Sequence, residues 1–129
     1  MRVLLIDDSK TMRGIQRSVL AQFNPTEIEE ATDGQDGLSK AIAFQPDLIL
    51  VDSNMPKMDG LTFVRIFRQT DKHTPVIMVA SESEKSRVIE AIKAGVNNYL
   101  VKPFTPDLLN QRIAETLARK AAAAVVPGV

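Results

Sequence analysis

The sequence predicts a single α/β domain built on a five-stranded parallel sheet with helices on both faces. Three observations carry that expectation. Compact apolar runs at 3–6, 48–51 and 75–79 contain no polar interruption, as strands covered on both faces require. The segments between them place apolar residues at helical spacing. Strand and helix alternate five times within 129 residues, a length that suits one hydrophobic core.

In chain order, residues 3–6 form the first strand and end at Asp7-Asp8. Met12, Ile15, Val19, Leu20 and Phe23 then define an amphipathic helix, opened by Ser9 or Lys10 and closed by Asn24-Pro25. Residues 27–31 are placed as the second strand mainly because helices flank them. Asp33-Gly34 marks a turn and N-cap, and Leu38, Ala41 and Ile42 form the stripe of a second helix that ends before Gln45-Pro46. The third strand, 48–51, stops at Asp52 and breaks into the loop Asp52-Ser-Asn-Met-Pro-Lys-Met-Asp-Gly60. Leu61, Val64 and Phe67, with Phe63 and Ile66 alongside, predict a third helix running to about Gln69.

A polar link at 71–74 leads into the fourth strand at 75–79, with Pro75 at its first position, where a missing N–H is tolerated. Ser81 and Glu84 have capping-box spacing ahead of a fourth helix that carries Val88, Ile89 and Ile92 and stops at Gly95. Residues 98–101 form the fifth strand and run into Lys102-Pro103-Phe104. Thr105-Pro106-Asp107 opens the last helix with a capping hydroxyl, a proline at the first helical position and an acid in the first turn; Leu109, Ile113 and Leu117 line it. The folded domain is expected to span 1–120, with 121–129 extending the last helix to Ala124 and fraying beyond Val126.

Right-handed crossovers between parallel strands make 2-1-3-4-5 the usual order for such a chain, the flavodoxin-like (βα)5 arrangement. Its switch point lies between the first and third strands, which brings Asp7 and Asp8 beside Asp52. That edge is where ligands bind in open α/β sheets.

Composition narrows the class. Sixteen Lys plus Arg balance sixteen Asp plus Glu, so no overall field favours nucleic acid or an anionic membrane. There is no cysteine, which removes disulfides and thiolate metal sites and is compatible with a reducing cytosol. The first apolar run is too short for a signal peptide and meets Asp7-Asp8 at once. No run approaches a membrane span. A cytoplasmic, monomeric protein that contacts neither membrane nor nucleic acid is expected.

Three carboxylates gathered at one sheet edge repel one another and raise one another's pKa unless a cation joins them. A hard divalent cation such as Mg2+ suits oxygen ligands and is commonly completed by a phosphate oxygen. Lys102, at the end of the fifth strand, reaches the same edge and offers a positive partner for an anion. Acids, metal and lysine together specify a phosphoryl site, where a carboxylate can attack phosphorus. Taken singly, an acidic pair after a strand reads as turn chemistry and Lys-Pro as a loop. Their joint occurrence at one edge favours the functional reading.

The same residues resemble a known family. Asp7-Asp8, the loop from Asp52 to Gly60, Pro75-Val-Ile-Met-Val79, Ala94-Gly95 and Tyr99-Leu-Val-Lys-Pro-Phe-Thr105 look like the receiver domains of two-component response regulators, most of all the stand-alone chemotaxis regulators of the CheY type. The resemblance covers 2–117 and implies that Asp52 is the phosphoacceptor, charged from a phosphohistidine on a sensor histidine kinase or histidine phosphotransfer protein. It implies that Asp8 binds Mg2+ directly, that Asp7 assists largely through water, and that Asn54 contributes its backbone carbonyl. Lys102 would contact the phosphoryl group, with a cis bond before Pro103. Output would come from a phosphorylation-dependent surface on the fourth helix, fifth strand and fifth helix that binds another protein in chemotaxis or motility. Such a protein is no enzyme beyond catalysing its own phosphorylation and dephosphorylation.

One position departs from the family pattern. The Thr or Ser usual at the end of the fourth strand is Ala80 here, and Ser81 follows by one residue. Alternation along a strand turns Ser81 away unless a bulge intervenes, so its expected role is to cap the fourth helix with Glu84. The expectation is a site equipped for phosphorylation with a weakened readout. Tyr99 resembles the aromatic that moves between exposed and buried states, and equally suits a packed strand residue. Met55 and Met58 are expected to cover the core, His73 to be solvated, and Glu82 to lie near the site.

Alternatives remain. The chain could be an intermediate carrier in a multistep relay. An aspartyl-phosphate phosphatase of the haloacid dehalogenase class would show Asp-x-Asp rather than adjacent acids. A flavin module would place hydroxyls and N–H groups, not Asp7-Asp8, in its first loop.

Overall fold

The central strands are largely apolar because both of their faces are covered. In the computed structural model, which describes residues 1–123 apart from the side chain of Lys85, β1 (Arg2–Ile6), β2 (Glu27–Ala31), β3 (Leu48–Asp52), β4 (Val76–Ala80) and β5 (Asn98–Val101) form one parallel sheet in the order β2-β1-β3-β4-β5. Every residue of β3 and β4 is buried. The helices are α1 (Lys10–Leu20), α2 (Gly34–Phe44), α3 (Gly60–Phe67), α4 (Val88–Ala94) and α5 (Pro106–Ala123). The expected tail at 124–129 lies outside the described residues.

Alternation along each strand divides the core in two. Leu4, Ile6, Ile49, Val51, Val76 and Met78 point to the layer that holds Phe63, Val64 and Ala91 of α3 and α4. Val3, Leu5, Leu48, Leu50 and Ile77 point to the other layer, against Val19 and Leu20 of α1 and Leu109 and Ile113 of α5. Met55 is buried and Met58 packs against the first layer, as the sequence suggests. His73 is exposed. No helix among the described residues is long and apolar enough to cross a membrane.

Side chains fix most helix starts. Ser9 Oγ accepts from the Met12 N–H at 3.1 Å, Asp33 Oδ1 from Asp36 at 2.8 Å, Asp59 Oδ1 from Thr62 at 2.8 Å and Thr105 Oγ1 from Leu108 at 3.1 Å. Gly95 closes α4 at φ +116°, a conformation that glycine adopts without a Cβ penalty.

The helix faces differ from the sequence expectation. Ile15, Ile42, Ile66, Ile89 and Ile92 point outward, Ile42 at 76% exposure, whereas Gln16, Gly34, Gly37, Phe44 and Ala91 turn inward beside the expected Ala41. Close approach explains the choice for α2: a Cβ on Gly37 would lie 2.7 Å from Ile6 Cδ1, so α2 sits too near β1 to admit a large side chain there. Two boundaries also move. β4 runs one residue later than expected, because Pro75 has no N–H to donate to the ladder while its carbonyl accepts from Ile49 at 3.0 Å. α3 ends at Phe67 rather than near Gln69.

The capping box at Ser81 is absent. A 3₁₀ segment, Glu82–Arg87, precedes α4, and the residue before α4, Arg87, makes no side-chain cap. Ser81 Oγ instead donates to Glu84 Oε1 at 2.9 Å, because a carboxylate accepts a hydroxyl proton more strongly than a neutral group does.

Candidate functional site

Parallel register assembles the site. β1 and β3 pair Ile6 with Val51, so the residues that follow, Asp7 and Asp52, emerge side by side at the carboxyl edge of the sheet. Carboxylate oxygens of Asp7, Asp8 and Asp52 all lie within 4.8 Å of one another. Asp7 and Asp52 are buried and Asp8 is exposed. Lys102 follows β5, is anchored by its N–H to the Ala80 carbonyl at 2.8 Å, and brings Nζ to 3.1 Å from Asp52 Oδ1. The Lys102-Pro103 bond is cis.

Asp7 and Asp52 are held away from water. Burial pushes the Asp52 carboxyl up to about 6, and the neighbouring Asp7 charge adds to the rise, although Lys102 opposes it. Burial also raises Asp7, against the pull of the Ser9 N–H and of Lys102. Asp7 Oδ1 accepts from that N–H at 2.9 Å, while its Oδ2 is buried without a hydrogen-bond partner. Two raised carboxyls, an orphaned buried oxygen and a third acid open to solvent form a donor set of hard oxygens, and that set fits a hard divalent cation.

The loop after Asp52 folds back on the strand that supplies it. The Gly60 N–H donates to the Ser53 carbonyl at 3.1 Å, and a Cβ at Gly60 would lie 2.2 Å from the Asp52 carbonyl oxygen. Only glycine fits there. Asn54, two residues beyond Asp52, is exposed.

The other candidates lie beside this cluster rather than within it. Ala80 is the last residue of β4, buried and in register with Val101. It shares a pocket with Ser53, Leu61, Met78, Glu84 and Tyr99. Tyr99 is half-buried and packed against the first core layer. The Ser81 hydroxyl is engaged by Glu84 and by Ser83, at 2.9 and 3.0 Å.

Sequence reasoning missed three contributors. Arg13 Nη1 donates to the Asp7 carbonyl at 2.7 Å and so holds that turn. Asp59 caps α3, for which an acid before Gly60 was a readable signal. Ser53 Oγ donates to Glu84 Oε1 at 2.8 Å, a contact across 31 residues that no local pattern announces.

The chain is similar to known proteins over most of its length. Residues 3–114 match the family described as the response regulator receiver domain. The chemotaxis protein CheY of Pseudomonas aeruginosa is 39% identical over 121 residues, covering 92% of this chain and 98% of that protein. CheY1 of Helicobacter pylori is 41% identical over 120 residues, covering 91% and 97%. Among solved structures, Vibrio cholerae CheY4 superposes with a TM-score of 0.80 at 34% identity, over 89% of this chain and 97% of that one. A CheY-like receiver domain protein from Methanospirillum hungatei gives 0.85 at 25% identity, over 95% and 98%.

Proposed function

The chain belongs to the response regulator receiver domain family, and on that footing we propose that it is a chemotaxis-type phosphoacceptor whose Asp52 takes a phosphoryl group from a phosphohistidine. The single observation that carries this reading is the contact of Lys102 with Asp52 at 3.1 Å inside a cluster of three carboxylates. With its carboxyl near 6, Asp52 is mostly ionised at neutral pH and remains nucleophilic. An Asp52 oxygen forms the new O–P bond while the P–N bond of the donor breaks, and the electron pair stays with the departing imidazole nitrogen. Lys102 offsets negative charge on the transferring group and orients it. Asp7 and Asp8, with Asp52 and the backbone carbonyl of Asn54, would hold Mg2+. When bound, that ion neutralises phosphoryl oxygens and relieves the repulsion among the acids.

The proposed donor is a sensor histidine kinase or histidine phosphotransfer protein in the cytoplasm. Output is binding of another protein by the face made of α4, β5 and α5, where Ile89 and Ile92 are exposed. A methyl group at Ala80 in place of a hydroxyl leaves less to draw toward the phosphate, so the resulting shift is smaller than in a threonine-bearing relative. The protein turns over no other substrate.

Phosphoramidate carries the same P–N bond as phosphohistidine and tests this directly. In Mg2+ it should phosphorylate the wild type and leave Asp52→Asn unmodified. Equal labelling of both proteins would move the chemistry elsewhere.

A further inference from the structure

We propose that Glu84 couples events at Asp52 to helix α4, doing through its carboxylate what a hydroxyl at position 80 cannot do here. The inference rests on Asp52 being the phosphoacceptor. Ser53, directly after Asp52, is buried, and its Oγ donates to Glu84 Oε1 at 2.8 Å. Ser81, directly after Ala80, donates to the same oxygen at 2.9 Å. The Glu84 N–H returns to the Ser81 carbonyl at 3.0 Å and closes the first turn of the 3₁₀ segment. That segment runs without interruption into α4, which has no side-chain cap of its own. Glu84 therefore anchors the entry to α4, and its two hydroxyl donors each adjoin a strand end of the site.

The sheet places these donors for a response. Asp52 pairs with Val79, and the Ser53 N–H donates to the Val79 carbonyl at 2.9 Å. Ser53 thus lies alongside Ala80, whose side chain offers no donor. A phosphoryl group on Asp52 carries up to two negative charges in place of the carboxylate's one and brings three strong acceptor oxygens. Each hydroxyl has one proton to give, so a serine that turns to the phosphoryl group leaves Glu84, whose own charge is repelled at the same time. Glu84 then lets go of the turn at 82–87. Tyr99 and Val88 line the same pocket and repack as α4 shifts. Glu84 is a positioning residue in this account, and it touches neither donor nor metal.

Hydrogen exchange of peptides spanning 82–94 tests the proposal in the full chain, with and without acetyl phosphate in Mg2+, and with intact mass read on the same samples. In the wild type, exchange should rise roughly threefold or more when the adduct forms. In Ser53→Ala and Glu84→Ala it should already be raised at rest, and phosphorylation should add little. Resting exchange unchanged in both variants overturns the proposal, as does an undiminished response to the adduct. If the wild type gains no phosphoryl group at Asp52, the phosphoacceptor reading fails and the coupling falls with it. If the adduct forms and the variants respond as the wild type does, only the coupling falls.

Discussion

Lys102 Nζ stands 3.1 Å from Asp52 Oδ1, yet the Asp52 carboxyl remains raised to about 6. Burial outweighs that contact, and one partly exposed lysine does not balance two buried acids and a third beside them. The sheet edge is therefore electrostatically frustrated until a cation completes it. Frustration of this kind is the expected state of a site that trades stability for function.

Replacing Asp52 with Asn should stabilise the metal-free protein at pH 7, by up to about 2–3 kcal/mol. The sign follows from linkage. Asp52 has a higher pKa folded than the value of about 3.9 in an unfolded chain, so the native state binds more protons between those values. Its stabilising contribution is complete below about pH 4, declines as pH rises, and is gone above about pH 6. The difference in melting temperature between Asp52→Asn and wild type should grow across that window and then level off. Mg2+ at pH 7.5 should raise the melting temperature of the wild type more than that of the variant. A pH-independent difference would contradict the account.

Gly60→Ala should cost about 1–3 kcal/mol or more and weaken metal binding, because its Cβ would meet the Asp52 backbone oxygen at 2.2 Å and backbone cannot swing aside. Gly14→Ala is the matched control. It lies within α1 with nothing within 4 Å of the added carbon, so it should stabilise the fold by roughly 0.5–1 kcal/mol. Urea denaturation of the pair reads both signs.

Arg68 ties two loops far from the carboxylates. Its guanidinium donates to the carbonyls of Gly95 at 2.9 Å, Asp71 at 3.1 Å and Thr74 at 2.7 Å, and to Asn97 Oδ1 at 3.0 Å. Arg68→Ala removes the donor to the three carbonyls, while Asn97 Oδ1 keeps the Val76 N–H at 2.8 Å, and should destabilise by about 2–4 kcal/mol. The rate of phosphorylation by acetyl phosphate should stay within about twofold of wild type at a temperature where the variant is folded, since distant sites act independently.

Much of this was legible in the sequence, because strands and strand ends carry local signals. The uninterrupted run at 48–51 announces a strand covered on both faces, and the handedness of crossovers then fixes which strand ends meet. Asp7, Asp8, Asp52 and Lys102 each sit at such an end, so topology alone gathers them. Helix faces were less readable. A pattern reading gives weight to Ala41 and Ile42 alike, whereas the close approach of α2 to β1 keeps Ala41, adds Gly37 and turns Ile42 out. The bond from Ser53 to Glu84 depends on how the 3₁₀ segment leaves β4, and its two residues share no periodicity. The exchange of roles at Ser81, donor to a carboxylate rather than cap of a helix, has the same origin.

Ala80→Thr should enlarge the phosphorylation-induced change at α4 and Tyr99, since it restores a hydroxyl beside Ser53 in a pocket that borders Tyr99. Tyrosine fluorescence before and after acetyl phosphate reads the effect, Tyr99 being the single tyrosine of the chain. An amplitude equal to that of the wild type would mean that the missing hydroxyl is not what limits the response.

The most direct test of the phosphoacceptor is mass spectrometry of the chain after acetyl phosphate, with and without Mg2+. One added phosphoryl group, dependent on Mg2+, mapped to Asp52 and much slower to form in Lys102→Ala, is the predicted result. An unmodified chain in Mg2+, or an adduct on any other residue, would contradict the assignment of Asp52.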